Sequence, residues 1–139
     1  MFTDSHCHLS FLELQSQLPQ IQIAMKEAQV NRALCICTTL EEFDSVHQLA
    51  LANNNFWATV GVHPDNEGIQ EPSLDDLLQR ASLPKIVGIG ETGLDYYRLP
   101  SDEGEKIENI ALQKSVFIAQ IDLAKKYKTE GLVPYAIQD

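Results

Sequence analysis

The residues with the clearest chemical potential lie near the beginning of the sequence, where His6 and His8 are separated by one residue. In a β-strand, alternate side chains point to the same face, so Asp4, His6 and His8 would share one side of a strand. Neutral imidazole is a common ligand of divalent metal ions, and two imidazoles at a strand end form half of a metal site. The opening segment therefore predicts metal binding.

Two further polar residues follow apolar segments that read as strands. Glu91 comes directly after residues 85–90, and His63 ends residues 56–62, where Pro64 cannot donate to a β-ladder. The C-terminal ends of the strands form the catalytic face of a (β/α) barrel. The pattern predicts that these residues share a metal site with the histidine pair. His47 falls inside a helical segment, and we expect it to be structural.

The elements that must position these residues alternate between short apolar runs and helical segments. The predicted strands are 2–7, 32–38, 56–62 and 85–90, and the predicted helices are 20–30, 39–52, 73–83 and 107–127. Such alternation is typical of an α/β fold with parallel strands and right-handed crossovers. The parallel arrangement would bring all four strand ends to one edge of the sheet.

Size and composition fit one globular domain. The chain has 139 residues, of which 44% are hydrophobic, and no apolar run approaches the roughly 20 residues that a membrane span needs. The N-terminus lacks the features of a signal peptide, so we expect a cytoplasmic location, with a nuclear one as the alternative. The three cysteines are an odd number without CxxC spacing and are expected to be structural thiols, with Cys35 and Cys37 buried in an apolar run. The formal charge of −10 disfavours a surface that attracts nucleic acid, although a bound divalent cation would reverse the local field.

Three segments together resemble the TatD family of metal-dependent deoxyribonucleases. They are residues 4–9, 60–64 and 88–97, and the helical pattern Gln113, Phe117, Gln120 and Ala124 is also similar. The resemblance implies a TIM-like (β/α) barrel that hydrolyses DNA phosphodiester bonds. It also implies one or two divalent ions, with magnesium expected and manganese or zinc as alternatives.

The resemblance assigns roles to individual residues. His6 and His8 match the first-strand metal ligands, and Glu91 matches a catalytic carboxylate that can bridge two metal ions. His63 matches a pocket histidine that contacts substrate rather than metal. Asp95 and Tyr96 lie in the same signature, where they are expected to support substrate binding.

The chain departs from the family in its length. A complete (β/α)₈ barrel takes about 250 residues, whereas residues 1–127 supply the first four βα units, and residues 128–139 do not match the family's continuation. The outer strands would then be unpaired edges, which favours self-association. Two alternatives stay open: a noncatalytic half-barrel that pairs with another chain, and an amidohydrolase-type metal enzyme acting on a small molecule.

Overall fold

The computed structural model describes residues 1–65 and 72–128, and in this part of the chain strands alternate with helices. The elements in order are β1 (Phe2–Cys7), α1 (Leu12–Gln15), α2 (Leu18–Glu27), β2 (Val30–Cys35), α3 (Phe43–Ala52), β3 (Phe56–Val60), α4 (Leu74–Ala81), β4 (Ile86–Ile89) and α5 (Glu103–Lys128). The predicted α/β class is confirmed. The predicted divergence of the tail begins at residue 128, and residues 129–139 lie outside the described residues.

The four strands form one parallel sheet in the order β1-β2-β3-β4. Cys7 is paired with Cys35, and Cys35 with Ala58, so the carboxyl ends of neighbouring strands lie at the same edge. Within the described sheet, β1 and β4 have a strand neighbour on one side only. This arrangement agrees with the expected unpaired edges.

The core lies between the sheet and the helices. Its most deeply buried apolar side chains come from α3, β3, α4 and α5, and they are Phe43, Val46, Phe56, Ala58, Val60, Leu77 and Leu123. The predicted apolar stripe of α5, which includes Phe117 and Ile121, is only half-buried. Two glutamines, Gln113 and Gln120, are buried more deeply than these stripe residues, because they bond to backbone groups near the functional site.

The boundaries of α2 and α5 differ from the prediction for identifiable reasons. Helix α2 begins at Leu18, before Pro19, because proline is compatible with the first helical turn, where its missing N–H has no intrahelical partner. Helix α5 begins at Glu103 rather than Ile107. The side chain of Asp102 accepts hydrogen bonds from the backbone N–H groups of Gly104 and Glu105, and so caps a helical turn that precedes the apolar pattern.

Helix α4 begins as its sequence predicts. The hydroxyl of Ser73 accepts a hydrogen bond from the N–H of Asp76 at 3.1 Å, and the carboxylate of Asp76 accepts one from the N–H of Ser73 at 3.2 Å. These reciprocal bonds form a capping box. Helix α3 begins later than predicted, at Phe43, because Glu42 and Thr39 bond within a preceding turn.

The remaining histidine and the cysteines are structural, as expected. His47 is buried, and its Nε2 lies 2.9 Å from the carbonyl oxygen of Pro84. All three cysteines are free thiols, and Cys7 points toward Cys35 and the carbonyl of Leu34, away from the histidine pair. No helix in the part of the chain that the structure describes is long and apolar enough to cross a membrane.

Candidate metal centre

The histidine pair at the end of β1 converges through its Nε2 atoms. These atoms of His6 and His8 lie 3.1 Å apart, and both side chains are half-buried. Asp4 contributes to this geometry through the backbone, because its Oδ1 accepts a hydrogen bond from the N–H of His6 at 3.0 Å. The side chain of Asp4 therefore fixes the strand end that presents the imidazoles.

The orientation of His8 leaves its Nε2 available as a ligand. Its Nδ1 lies 3.2 Å from the carbonyl oxygen of Ile36. A carbonyl oxygen can only accept, so Nδ1 carries the proton and the neutral ring has its lone pair on Nε2. The ring also stacks on Phe11 with a centroid separation of 5.0 Å. A hydrogen bond from the second ring nitrogen to a carbonyl is the usual support of a metal-binding histidine.

Glu91 completes the group from the opposite edge of the sheet. One ligand atom from each of His6, His8 and Glu91 falls within 4.8 Å of the others. Glu91 is only 6% exposed, and burying a carboxylate is costly unless a cation or hydrogen bonds compensate it. Two neighbouring ligand atoms, each about 2.1 Å from one ion, are separated by roughly 3.0 Å in octahedral geometry. The Nε2 atoms of His6 and His8 are 3.1 Å apart, which agrees with this separation. The residues present thus fit a divalent metal ion.

The meeting of these side chains depends on the curvature of the sheet. Neighbouring strands are about 4.8 Å apart, so a flat sheet would separate β1 and β4 by roughly 14 Å. The ligand atoms of His6 and Glu91 are nevertheless within 4.8 Å of each other. The strand ends therefore curve toward a common axis, as they do in a barrel.

Hydrogen bonds between strand ends hold Glu91 in place. The hydroxyl of Thr59 accepts from the N–H of Cys37 at 3.1 Å and donates to the carbonyl of Gly90 at 2.8 Å. The N–H of Glu91 donates to the carbonyl of Cys37 at 3.1 Å. The ends of β2, β3 and β4 are thereby connected directly beneath the carboxylate.

Gly61 permits the close approach of this backbone. A Cβ atom at position 61 would lie 2.5 Å from the carbonyl oxygen of Gly90 and 2.8 Å from Oε1 of Gln120. No ordinary Cβ contact is so short, so glycine is required here for steric reasons.

His63 presents a different chemical group to the site. Its Nδ1 accepts a hydrogen bond from the N–H of Asp65 at 3.0 Å. A backbone N–H can only donate, so in the neutral ring the proton resides on Nε2. That Nε2 lies 3.7 Å from Oε1 of Glu91. His63 therefore directs an N–H donor toward the carboxylate, whereas His8 directs a lone pair.

A cavity of about 550 Å³ opens beside these residues, with a wall formed by residues 63–64 and 91–98. Asp95 and Tyr96 both line it, and their role in substrate binding stays a prediction. The carboxylate of Asp95 is already engaged, because it accepts hydrogen bonds from the N–H of Tyr97 at 2.8 Å and from the Arg98 guanidinium at 2.7 Å. Burial raises the pKa of Asp95, but these hydrogen bonds outweigh it and hold the pKa below its usual value. The carboxylate of Asp95 thus holds residues 95–98 of the cavity wall in their observed conformation.

Two buried glutamines of α5 support the site, and the sequence prediction assigned them no role. The Gln120 side-chain amide accepts from the N–H of Val62 at 3.2 Å and donates to its carbonyl at 3.3 Å. Gln113 makes the same pair of bonds to the backbone of Asp95, at 2.7 and 2.9 Å. The seven-residue spacing places both amides on one face of the helix. The sequence could have indicated this role, because two glutamines seven residues apart interrupt an otherwise apolar helical pattern.

Comparison with known proteins agrees with the fold and the site. The chain is 32% identical over 134 residues to the uncharacterized metal-dependent hydrolase YcfH of Escherichia coli K12, covering 94% of this chain and 47% of YcfH. It is 34% identical over 99 residues to the 3'-5' ssDNA/RNA exonuclease TatD of the same strain, covering 70% of this chain and 35% of that protein. The crystal structure of YjjV, a TatD homologue from E. coli K12, superposes with a TM-score of 0.77 at 28% identity, covering 91% of this chain and 48% of YjjV.

The fold and the grouped ligands define the class of protein, that of parallel α/β proteins with a candidate metal centre at the carboxyl ends of the strands. Within this class the chain belongs to the TatD family, since the family model of TatD-related DNases matches residues 3–130. The chain spans about half the length of the curated relatives it matches. Its four βα units correspond to about half of the structurally similar barrel.

Proposed function

We propose that His6, His8 and Glu91 bind a divalent metal ion and that the site hydrolyses phosphodiester bonds of DNA. The observation that carries this proposal is the convergence of the three ligand atoms within 4.8 Å at the carboxyl ends of β1 and β4. Membership of the TatD family supports the choice of reaction. The similar protein TatD of E. coli is named as an exonuclease of single-stranded DNA and RNA.

Magnesium is the proposed metal, as the family resemblance implies. Manganese and zinc are compatible with the same ligands, because imidazole and carboxylate groups accept several divalent ions. The second oxygen of the Glu91 carboxylate would be available to hold a second ion. When bound, such ions lower the pKa of a coordinated water and offset the negative charge of the phosphate.

The protein residues divide the remaining tasks. His6 and His8 present neutral nitrogen ligands, with the proton of His8 held on Nδ1 by the carbonyl of Ile36. His63 presents an Nε2 proton to a phosphate oxygen, because its Nδ1 is occupied by the N–H of Asp65. Asp95 shapes the cavity wall. Tyr96, which is 55% exposed, offers an aromatic surface to the substrate.

The direct test uses end-labelled single-stranded DNA incubated with the purified chain and magnesium. Three parallel samples contain chelator, the variant Glu91→Gln, and the variant Glu27→Gln. Glu27 is an exposed residue at the end of α2, close to the start of β2 and so at the other end of the strands from the site, and it serves as the matched control. We expect cleavage by the unmodified chain and by Glu27→Gln, and none with chelator or Glu91→Gln.

Other outcomes would favour the alternatives. Cleavage that persists with chelator and in Glu91→Gln would contradict the proposed site. Metal binding without cleavage would identify a noncatalytic half-barrel that needs another chain. Metal-dependent turnover of small amides or lactones without DNA cleavage would identify an amidohydrolase-type enzyme.

A further inference from the structure

The cavity wall ends in a tyrosine whose ring is almost fully exposed. Tyr97 is 93% exposed, compared with 55% for its neighbour Tyr96. Both lie in the wall of the cavity that contains Glu91 and His63. An aromatic ring gains stability by leaving water, so a fully exposed ring at the rim of a polar site is a surface on which a ligand can stack.

The loop that carries this ring is held by several hydrogen bonds. The N–H of Tyr97 donates to the carboxylate of Asp95 at 2.8 Å. The backbone of Asp95 is fixed in turn by the amide of Gln113 from α5. Gly93, with φ of 141°, permits the turn between Glu91 and this segment. The backbone that carries the ring is therefore held in place, which reduces the entropy lost when a ligand stacks on the ring.

A cation next to the ring is already neutralised. The guanidinium of Arg98 lies 6.0 Å from the centroid of Tyr97. It forms ion pairs with Asp95 at 2.7 Å and with Asp65 at 3.3 Å. Because two carboxylates balance this charge, binding at the ring is expected to depend on stacking more than on attraction to phosphate.

We propose that Tyr97 is a stacking platform for an unpaired nucleobase of the substrate, adjacent to the phosphate held at the metal centre. The proposal rests on the proposed nuclease function and adds a subsite to it. A base in a duplex has both faces covered by its neighbours, so the platform selects single strands or frayed ends. Aromatic stacking of this kind is tolerant of sequence because every base has a π-face.

The test pairs changes in the protein with changes in the DNA. Binding of fluorescent single-stranded phosphorothioate oligonucleotides is measured in the presence of magnesium. One oligonucleotide is intact, and the others carry a single abasic site at successive positions. The proteins are the unmodified chain, Tyr97→Ala, Tyr97→Phe and, as a matched control, Ile107→Ala. Ile107 is an exposed apolar residue of α5, 65% exposed, that does not line the cavity.

At one position the abasic site should weaken binding to the unmodified chain by about 5- to 100-fold, as expected for the loss of one stacked base. Tyr97→Ala should weaken binding of the intact strand by a similar factor and should show no further loss at that position. Tyr97→Phe and Ile107→Ala should behave like the unmodified chain. The effect of Tyr97→Ala should change little between low and moderate salt, and the melting temperature should be unchanged.

The proposal is overturned if every abasic position has the same effect in the unmodified chain and in Tyr97→Ala. In another outcome, the losses caused by Tyr97→Ala and by the abasic site are additive, while the intact strands bind and their phosphodiester forms are cleaved. That result contradicts the stacking platform and leaves the proposed nuclease function standing. If the chain binds magnesium but no oligonucleotide, the proposed function and the platform both fail.

Discussion

The Nε2 atom of His63 lies 3.7 Å from Oε1 of Glu91, and the N–H of Asp65 occupies the other nitrogen of the same ring. The proton on Nε2 consequently faces the candidate metal centre. This relationship separates two kinds of histidine in one pocket, because His8 has its proton on Nδ1. One ring is arranged to donate a hydrogen bond, and the other is arranged to bind a metal ion.

Replacing His63 should therefore affect turnover more than metal binding. In His63→Ala we expect DNA cleavage to fall by about 100-fold or more, within the range for loss of a general acid or base. Metal affinity measured by calorimetry should change by less than about 3-fold. A parallel loss of metal affinity and cleavage would show instead that His63 is a ligand.

The variant Gly61→Ala should lower both stability and metal affinity. The new Cβ would lie 2.5 Å from the Gly90 carbonyl oxygen, so the backbone before Glu91 must move. We expect a loss of about 1–3 kcal/mol in the free energy of unfolding, as for other overpacked sites. Urea denaturation and metal titration would measure the two effects. In the control Gly104→Ala, the nearest atom is the side-chain oxygen of Asp102 at 3.1 Å, and little change is expected.

Removing the amide of Gln120 should destabilise the fold. In Gln120→Met the buried N–H and carbonyl of Val62 lose their hydrogen-bond partner while the side-chain volume is nearly kept. Each unsatisfied buried group costs about 1–3 kcal/mol, so a loss of roughly 2–6 kcal/mol is expected from urea unfolding for the two groups. Gln48→Met, at an exposed position of α3, is the matched control. Equal stability of the two variants would mean that these hydrogen bonds contribute nothing.

Cys37 should be unreactive in the folded chain. Its side chain is fully buried, and burial raises the pKa of its thiol to about 12. A thiol whose folded pKa is raised stabilises the fold below its unfolded pKa, and that stability is lost as the pH rises from about 9 to about 12. Mass spectrometry after brief iodoacetamide treatment at neutral pH should find Cys37 modified only in urea. Rapid modification of the folded chain at this position would contradict the burial.

The outer edges of β1 and β4, which have no strand neighbour within the described sheet, predict self-association. Val87 of β4 is 38% exposed and lines an open apolar surface with Leu34 and Trp57. We expect the apparent mass from light scattering to rise with protein concentration, and Val87→Lys to reduce this rise by placing a charge on the surface. A constant monomer mass across the accessible concentrations would rule out association through these edges.

The histidine pair was predictable because its signal is local. The spacing of His6 and His8 needs only the two-residue period of a strand, and Glu91 follows an apolar run that ends at a glycine. The expectation that these residues meet required one further rule, that parallel strands end at the same edge of a sheet. That rule explains why the sequence could place these three residues at one end of the sheet without any knowledge of distances.

The supporting contacts were not predictable in the same way. Gln120 bonds to Val62, which is 58 positions away in the sequence, and Thr59 connects Cys37 to Gly90 across three strands. Such pairs depend on the final register and curvature of the sheet. The start of α5 was missed because its cap, Asp102, precedes the apolar periodicity that defines the rest of the helix.

The placement of the proposed ligands on β1 and β4 also affects how the fold holds together. His6 and Glu91 are about 85 residues apart in the sequence, and their strands lie at opposite edges of the described sheet. An ion bound by both would act as a reversible cross-link that closes this loop in the folded state. By analogy with a disulfide that closes a loop of that length, such a link is worth about 4.5 kcal/mol. Chelation should then loosen the first strand before any other, and amide hydrogen exchange in β1 would be its earliest sign.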